Sequence, residues 1–249
     1  MNELVELQQT LYTSRNPTRR WLHVTRRELV VEAIRTAPVV AAERALEVGP
    51  GSGVYLPVLC SRFKSVTALD VEPAHVQALT GLAASLPNLH LSVGDLCKTA
   101  WHEPFDLVLC SEVVEHVPDP GAFISGLGRA VRPGGILILS TPQPFSIMEL
   151  TSSVALSSPF IGLTRRVYQE PVLPTGHISV MRRREVLQHL AEAGFDVLSS
   201  RYFGLYVPLL AETGGKYSVA ILRRLEPVLN VCGLSGLLWT QLHVARKQA

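Results

Sequence analysis

Cysteine is scarce in this sequence, and its four cysteines lie far apart. They are Cys60, Cys97, Cys110 and Cys232. No two of them form a C-x-x-C pair, so the spacing argues against a disulfide framework and against a zinc site built from cysteines. Cys60 and Cys110 lie in apolar runs, where buried thiols are expected. Reduced thiols of this kind are typical of a cytoplasmic protein.

Long apolar runs are also missing. No stretch reaches the roughly 18 unbroken apolar residues that a membrane-spanning helix needs. The longest candidate, residues 228–239, is interrupted by Asn230 and two glycines. The first ten residues, M-N-E-L-V-E-L-Q-Q-T, lack the apolar core of a signal peptide. We therefore expect a cytoplasmic protein.

Charge is unevenly distributed along the chain. Residues 1–150 contain 12 Lys+Arg against 15 Asp+Glu, whereas residues 151–249 contain 11 against 6. The ordinary explanation of the basic half is a solvated surface, and the alternative is peripheral contact with a membrane surface. Aromatic residues are not interleaved with the basic ones, so nucleic acid is not an expected partner. The oligomeric state is not predicted.

Strand-like apolar runs alternate with helical patterns through the first 141 residues. The runs cover 44–48, 65–71, 89–93, 105–110 and 136–141, and the helical patterns cover 54–62, 73–85 and 121–131. A helix at 182–193 and two late strands at 196–203 and 240–245 follow. Continuous apolar strands between helices are typical of a parallel sheet covered on both faces. The sequence thus predicts an α/β, Rossmann-like, doubly wound fold with a seven-stranded, mostly parallel sheet.

Two segments interrupt this rhythm. Residues 142–180 are rich in Pro, Ser and Gly, and residues 205–239 are apolar but broken by Pro and Gly. We expect both to be insertions that form an apolar lid over a substrate. The predicted organisation is an N-terminal helical cover over residues 1–40 and a main domain over residues 41–249.

A glycine-rich stretch follows the first strand. Residues 45–53 read A-L-E-V-G-P-G-S-G, which places Gly49, Gly51 and Gly53 at alternate positions behind the acid Glu47. Glycine permits sharp turns and close approach of a ligand to the backbone. The dinucleotide fingerprint G-x-G-x-x-G requires its third glycine where this chain has Val54, which disfavours a nicotinamide cofactor.

Acidic residues also end the next two strands. Asp70 closes T-A-L-D, 21 residues beyond Gly49, where a carboxylate can accept hydrogen bonds from ribose hydroxyls. Asp95 ends the third strand. The alternative role of Asp95 is that of a turn residue, and the alternative role of Asp70 is to cap the helix that follows it. The carboxyl ends of parallel strands converge on one crevice. The candidate nucleoside contacts are Asp70, Val71, Asp95 and Leu96.

The segment after the fourth strand combines acids with a histidine. Residues 110–121 read C-S-E-V-V-E-H-V-P-D-P-G, and Glu112, Glu115 and His116 have the spacing i, i+3, i+4. These side chains share one face if a helix begins here. They could hold a divalent cation or move a proton. The alternative is that they pack and orient a cofactor.

The acid-x-G-x-G-x-G pattern resembles motif I of class I S-adenosylmethionine-dependent methyltransferases. S-E-V-V-E-H-V-P-D-P, V-R-P-G-G-I-L-I-L-S-T and the N-P-T-R of residues 16–19 are similar to segments of the ubiquinone-biosynthesis O-methyltransferases. P-T-G-H-I-S-V at 174–180 resembles that family's P-x-G-T-H-D segment, without the acid and with His177 shifted.

This resemblance implies S-adenosylmethionine as cofactor and O-methylation of a phenolic or other lipophilic small molecule. It implies cofactor contacts at Arg19, Gly49, Asp70 and Ser111, and a Mg²⁺ site at Glu112, Glu115 and His116. We expect His116 to assist removal of the proton from the acceptor, with His177 as the second candidate. The alternative functions are an N- or C-methyltransferase of natural-product or sugar metabolism and a non-enzymatic cofactor-binding protein.

Overall fold

The computed structural model describes residues 11–155 and 177–249, and these form a seven-stranded sheet. The strand order is β3-β2-β1-β4-β5-β7-β6, and β7 alone runs antiparallel to its neighbours. The predicted fold class is therefore confirmed. The strands are β1 (Arg44–Val48), β2 (Ser65–Asp70), β3 (Leu89–Val93), β4 (Phe105–Ser111), β5 (Val131–Pro142), β6 (Phe195–Phe203) and β7 (Thr240–Lys247).

Helices cover both faces of this sheet. The predicted helix 73–85 is divided in two at Leu79, and the helix predicted from residue 54 begins two residues later. The helices are α1 (Pro17–Thr36), α2 (Leu56–Arg62), α3 (Pro73–Ala78), α4 (Thr80–Ala83), α5 (Pro120–Ala130), α6 (Ile147–Ala155), α7 (Arg183–Glu192), α8 (Pro208–Thr213) and α9 (Gly215–Val231). Two 3₁₀ turns, Val114–His116 and Ser235–Leu237, complete the described elements.

The central strands are apolar throughout because both of their faces are buried. On β4, Leu107 and Leu109 belong to the core cluster that contains α1 and α2 residues. Val108 and Cys110 belong to the cluster on the other face, together with Ile124 of α5. Each residue of the run therefore faces one of two helical layers, which is why the sequence shows continuous rather than alternating hydrophobicity.

The N-P-T-R segment forms the start of α1. The Asn16 side chain accepts hydrogen bonds from the backbone N–H groups of Thr18 and Arg19, and Pro17 occupies the first helical position. This is a standard N-terminal cap followed by a proline that has no N–H to satisfy. The cap places Arg19 in the first turn of the helix.

The second insertion, 205–239, contains α8, α9 and a 3₁₀ turn. Leu205, Leu222 and Leu238 form its small core, and Gln143 Nε2 donates to the carbonyl oxygens of Ser235 and Leu238 at 2.9 Å each. Most of the first predicted insertion, 142–180, lies outside the described residues. Among the helices that are described, none is sufficiently long and apolar to cross a membrane.

Candidate active site

A cavity of about 1180 Å³ opens at the carboxyl ends of the parallel strands. The strand order reverses between β1 and β4 at this point, which is where α/β folds bind their ligands. The sequence-predicted residues that line the cavity are Arg19, Glu47, Gly49, Gly51, Asp70, Val71, Asp95, Leu96, Ser111, Glu112, Glu115, His116 and His177. Gly53 lies in the same loop but is not part of the lining.

The glycine loop needs glycine for two separate reasons. Gly49, Gly51 and Gly53 have φ values of 65°, 52° and 72°, in the left-handed region that disfavours a side chain. In addition, a Cβ atom on Gly49 would lie 2.5 Å from Cγ2 of Val113, and one on Gly53 would lie 2.8 Å from Cδ2 of Leu82. The loop therefore presents bare main chain to the cavity.

Glu47 is a buried acid at the end of β1. Its side chain is 2% exposed, and its Oε2 atom has no hydrogen-bond partner among the described residues. Burial raises the pKa of this carboxyl to about 8. A cationic group bound beside Glu47 would compensate the desolvation and favour the ionised form.

Asp70 and Asp95 both organise the turns that follow their strands. Asp70 accepts a hydrogen bond from the backbone N–H of Glu72 at 2.9 Å, and its other oxygen lies 3.3 Å from Nδ1 of His75. The N-cap of α3 is Glu72, so Asp70 does not cap that helix itself. Asp95 accepts from the Cys97 N–H at 2.9 Å, a bond that lowers the pKa of Asp95.

Glu112 is separated from the other two predicted metal ligands. The 3₁₀ turn begins at Val114, and Glu112 precedes it with a φ of 58°, so the expected shared helix face does not form. Its Oε2 atom lies 2.7 Å from Nη1 of Arg26, and its Oε1 atom accepts from the Ser140 hydroxyl. Arg26, on α1, is a cavity residue that the sequence pattern did not reveal.

Glu115, His116 and His177 form a compact cluster at the cavity wall. One donor atom of each lies within 4.8 Å of those of the other two. The carbonyl oxygen of Glu115 accepts from the backbone N–H groups of Ile178 and Ser179, which brings the chain around His177 against the turn. Burial raises the pKa of the Glu115 carboxyl well above its usual range.

Glu149 and Trp239 hold His177 in place. Nδ1 of His177 lies 3.0 Å from Oε2 of Glu149, and the indole N–H of Trp239 donates to the other carboxylate oxygen at 3.2 Å. Sequence reasoning missed both residues. The available signal was that Glu149 is the only acid between Asp119 and Glu170.

The sheet order, the glycine loop and the acids at successive strand ends define an S-adenosylmethionine-dependent methyltransferase. The sequence profile of a family described as "Methyltransferase domain" matches residues 19–200, and the chain belongs to that family. The predicted class and enzyme type are thereby confirmed.

Comparisons with individual proteins agree with this class. The chain is 28% identical over 173 residues to the ubiquinone biosynthesis O-methyltransferase of Albidiferax ferrireducens, which covers 66% of this chain and 68% of the relative. It is 33% identical over 137 residues to the same-named enzyme of Psychrobacter cryohalolentis, covering 51% and 52%. The N-methyltransferase NodS from Bradyrhizobium japonicum WM9, solved with S-adenosyl-L-homocysteine, has a TM-score of 0.60 at 16% identity over 100% of both chains. This last likeness shows the fold.

The residues present fit the cofactor but not the expected magnesium ion. The bare loop at Gly49 can admit an amino-acid tail, and the unpartnered oxygen of Glu47 can receive its ammonium. Magnesium requires near-octahedral oxygen ligands. Of the predicted set, the Glu112 carboxylate is already neutralised by Arg26 and does not belong to the group that converges with Glu115 and His116.

The first prediction concerns the glycine loop. Gly49→Ala combines a left-handed backbone with a Cβ clash, whereas Gly134→Ala has a φ of 74° and no atom within 4 Å of the new Cβ. We expect both to lose about 1 kcal/mol or more of stability, and only Gly49→Ala to lose affinity for S-adenosylhomocysteine, by at least about tenfold. Calorimetric titration of both variants provides the measurement. Equal affinities would show that the ligand does not approach this loop.

The second prediction concerns Glu47. Its pKa in the folded state, about 8, exceeds its ordinary value of 4.5, so the folded chain retains a proton that the unfolded chain releases. The stabilising contribution of the protonated Glu47 carboxyl to the free energy of unfolding is fully present below about pH 4.5. It is lost as the pH rises toward 8, by at most about 1.4 kcal/mol per pH unit.

Relative to Glu47→Gln, the wild-type free energy of unfolding should therefore fall between pH 5 and pH 8. Urea titrations at several pH values measure this difference. S-adenosylhomocysteine carries an ammonium group, so saturating ligand should reduce the fall. Parallel stability curves for the two proteins would contradict the assignment.

Proposed function

We propose that the protein transfers the methyl group of S-adenosylmethionine to a hydroxyl of a phenolic or other lipophilic small molecule. The observation that carries this proposal is the Glu115–His116–His177 cluster, which borders the same cavity as the cofactor loop. The names of the relatives support the same reaction type. Apolar side chains also line the cavity, including Val113, Val117, Phe123, Met148 and Tyr206, which suits an apolar acceptor.

In this proposal the chain positions the cofactor with the groups already described. The main chain of residues 49–53 and the Glu47 carboxylate hold the amino-acid tail, and Arg19 pairs with its carboxylate. Asp70 accepts from the ribose hydroxyls, with Val71, Asp95, Leu96 and Ser111 around the nucleoside. When bound, the cofactor supplies an electrophilic methyl sulfonium, and the protein contributes alignment and electrostatics.

In this proposal the cluster removes the proton from the acceptor hydroxyl. A phenol with a pKa of about 10 is a weak nucleophile while protonated. A well-placed base accelerates such a step by roughly 10²–10⁴-fold. Of the histidines that line the cavity, His116 and His177 are the two that belong to this cluster. In this proposal they receive the proton, and Glu149 orients His177. A Mg²⁺ ion on Glu112, Glu115 and His116 is not part of the proposal, because Arg26 occupies Glu112.

We also propose that the described parts of the N-terminal cover and of the two insertions border the acceptor. The cavity is lined by His23 and Arg26 of α1, by Met148 and Glu149 of α6, and by Trp239 at the end of the second insertion. These elements lie outside the parallel strands that hold the cofactor. We propose the same division for the whole chain, with a cover over residues 1–40 and a main domain over residues 41–249.

The third prediction tests the acceptor class. The purified protein is incubated with labelled S-adenosylmethionine and a panel of catechols, quinols, hydroxylated lipids and amines. We expect transfer to a hydroxyl, and a loss of about 10²–10⁴-fold in kcat/KM for His116→Ala. His102→Ala, an exposed histidine outside the cavity lining, is the matched control and should stay near wild type.

The alternative is N- or C-methylation, for which NodS offers an N-methyltransferase of the same fold. An amine acceptor carries its own basic nitrogen and needs less help with its proton. Transfer only to amines, unaffected by His116→Ala, would replace the O-methylation proposal with this one.

A second proposal is peripheral contact of α9 with an anionic lipid surface. Successive turns of this helix expose Tyr217, Ile221, Leu225, Val228 and Val231, with Val231 88% exposed. The adjoining face, which begins one residue further along the chain, is anchored by the buried side chains of Ser218 and Leu222. An exposed apolar stripe beside basic residues is typical of helices that lie in a membrane interface, and Arg223 and Arg224 are both exposed here.

The fourth prediction is that the protein sediments with vesicles that contain phosphatidylglycerol and less with vesicles of pure phosphatidylcholine. The double variant Ile221→Asp, Val228→Asp should lose most of this binding, because it places two anions in the apolar stripe. Val40→Asp, at a 91% exposed valine outside α9, is the control and should bind like wild type. Equal sedimentation of all three proteins would remove the proposal.

A further inference from the structure

We propose that Glu115, His116 and His177 form a binding site for a divalent transition-metal ion of the Zn²⁺ type. This set differs from the one that the sequence resemblance implies, since His177 joins it and Glu112 does not. Metal binding can be tested by itself, whereas its use in catalysis rests on the proposed function.

The positions of the donor atoms support the site. Oε1 of Glu115 lies 4.0 Å from Nε2 of His116, and the two imidazole ring centroids are 5.1 Å apart. All three donors lie within 4.8 Å of one another. An ion about 2.1 Å from each donor holds them roughly 3.0–3.5 Å apart. A closure of up to about 1.8 Å between donor atoms would complete the site.

The buried carboxylate oxygen is the independent observation that points to a cation. The Glu115 side chain is fully buried, and its Oε2 atom accepts from the Thr141 hydroxyl at 3.1 Å. Its Oε1 atom has no hydrogen-bond partner among the described residues. A buried, unpartnered carboxylate oxygen is costly unless a cation compensates it. Arg26 does not fill this role directly, because its guanidinium pairs with Glu112 at 2.7 Å.

The contacts of His177 are those of a metal ligand. Nδ1 of His177 lies 3.0 Å from the Glu149 carboxylate, which is fixed in turn by the indole N–H of Trp239. A hydrogen bond from Nδ1–H to the carboxylate leaves the lone pair on Nε2. Histidines that bind metals usually donate their other ring N–H to a carboxylate or carbonyl in this way. Glu149 is thus a positioning residue for the site.

The donor chemistry selects the kind of ion. Two imidazoles and one carboxylate suit Zn²⁺ and other first-row transition ions, whereas Mg²⁺ prefers oxygen ligands throughout. Three protein ligands leave at least one coordination position open. Since all three residues line the cavity, an ion held by them would border the space proposed for the acceptor.

Cobalt titration of the untagged full chain, dialysed against EDTA, tests the site without any acceptor. We expect one equivalent of Co²⁺ to bind with visible d–d absorption, to be displaced by Zn²⁺, and to resist a 100-fold excess of Mg²⁺. His177→Asn and Glu115→Gln should weaken binding by at least about tenfold, and Glu149→Gln by about 10–100-fold. Glu112→Gln is the matched control and should bind Co²⁺ like wild type.

Each variant is first checked for thermal stabilisation by S-adenosylhomocysteine, which reports a folded cofactor domain. If a variant fails this check, its Co²⁺ titration is not used. The melting temperature of the wild-type protein should then rise on addition of Zn²⁺, and that of Glu112→Gln should rise equally. Absence of saturable Co²⁺ binding would overturn the proposal, as would loss of binding in Glu112→Gln with retention in His177→Asn. A chain that binds Co²⁺ but methylates no hydroxyl would contradict the proposed function alone.

Discussion

Two buried carboxylates with unpartnered oxygens border a single cavity, and the chemistry of the cavity depends on what neutralises them. Glu47 and Glu115 each keep one oxygen without a hydrogen bond among the described residues. Burying an ionised carboxylate without a partner opposes folding. This cost is relieved when a cationic group binds beside the carboxylate or when the carboxyl keeps its proton. Glu47 lies at the glycine loop and Glu115 at the histidine cluster. In the proposed function, the two acids therefore mark the cofactor end and the acceptor end of the same space.

The sheet explains why these acids lie close to each other. Parallel strands end at one edge, and β1 and β4 are neighbours at the point where the strand order reverses. Glu47 occupies the end of β1, and the turn after β4 carries Glu115. Val113, from that same turn, packs against Gly49 closely enough to exclude any side chain there. The glycine loop and the turn that carries the histidine cluster are thus in direct contact at adjacent strand ends.

The sequence predicted the features that depend on local patterns. The apolar strands, the glycine turn and the acids at strand ends follow from periodicity and from conformational rules that act over a few residues. The fold class and the methyltransferase class were confirmed. The individual roles of the cofactor residues stay predictions, although the structure brings almost all of them to one cavity.

The features that could not be predicted depend on contacts between distant segments. Glu112 pairs with Arg26, 86 residues away, and this contact removes it from the expected metal set. Trp239 and Glu149 are 90 residues apart and come from different insertions. The spacing of Glu112, Glu115 and His116 matched a helix, but the left-handed backbone at Glu112 separates it from the turn. No local pattern reports such pairings, because they arise from how the N-terminal helix and the insertions pack against the sheet.

The most direct test of the central claim is a crystal structure with S-adenosylhomocysteine. We expect the ligand's amino group to lie within hydrogen-bond distance of Glu47, its tail to follow the main chain of residues 49–53, and its ribose hydroxyls to reach Asp70. The sulfur should then point toward the cluster of Glu115, His116 and His177. A ligand bound elsewhere, or one whose sulfur faces away from that cluster, would contradict the account.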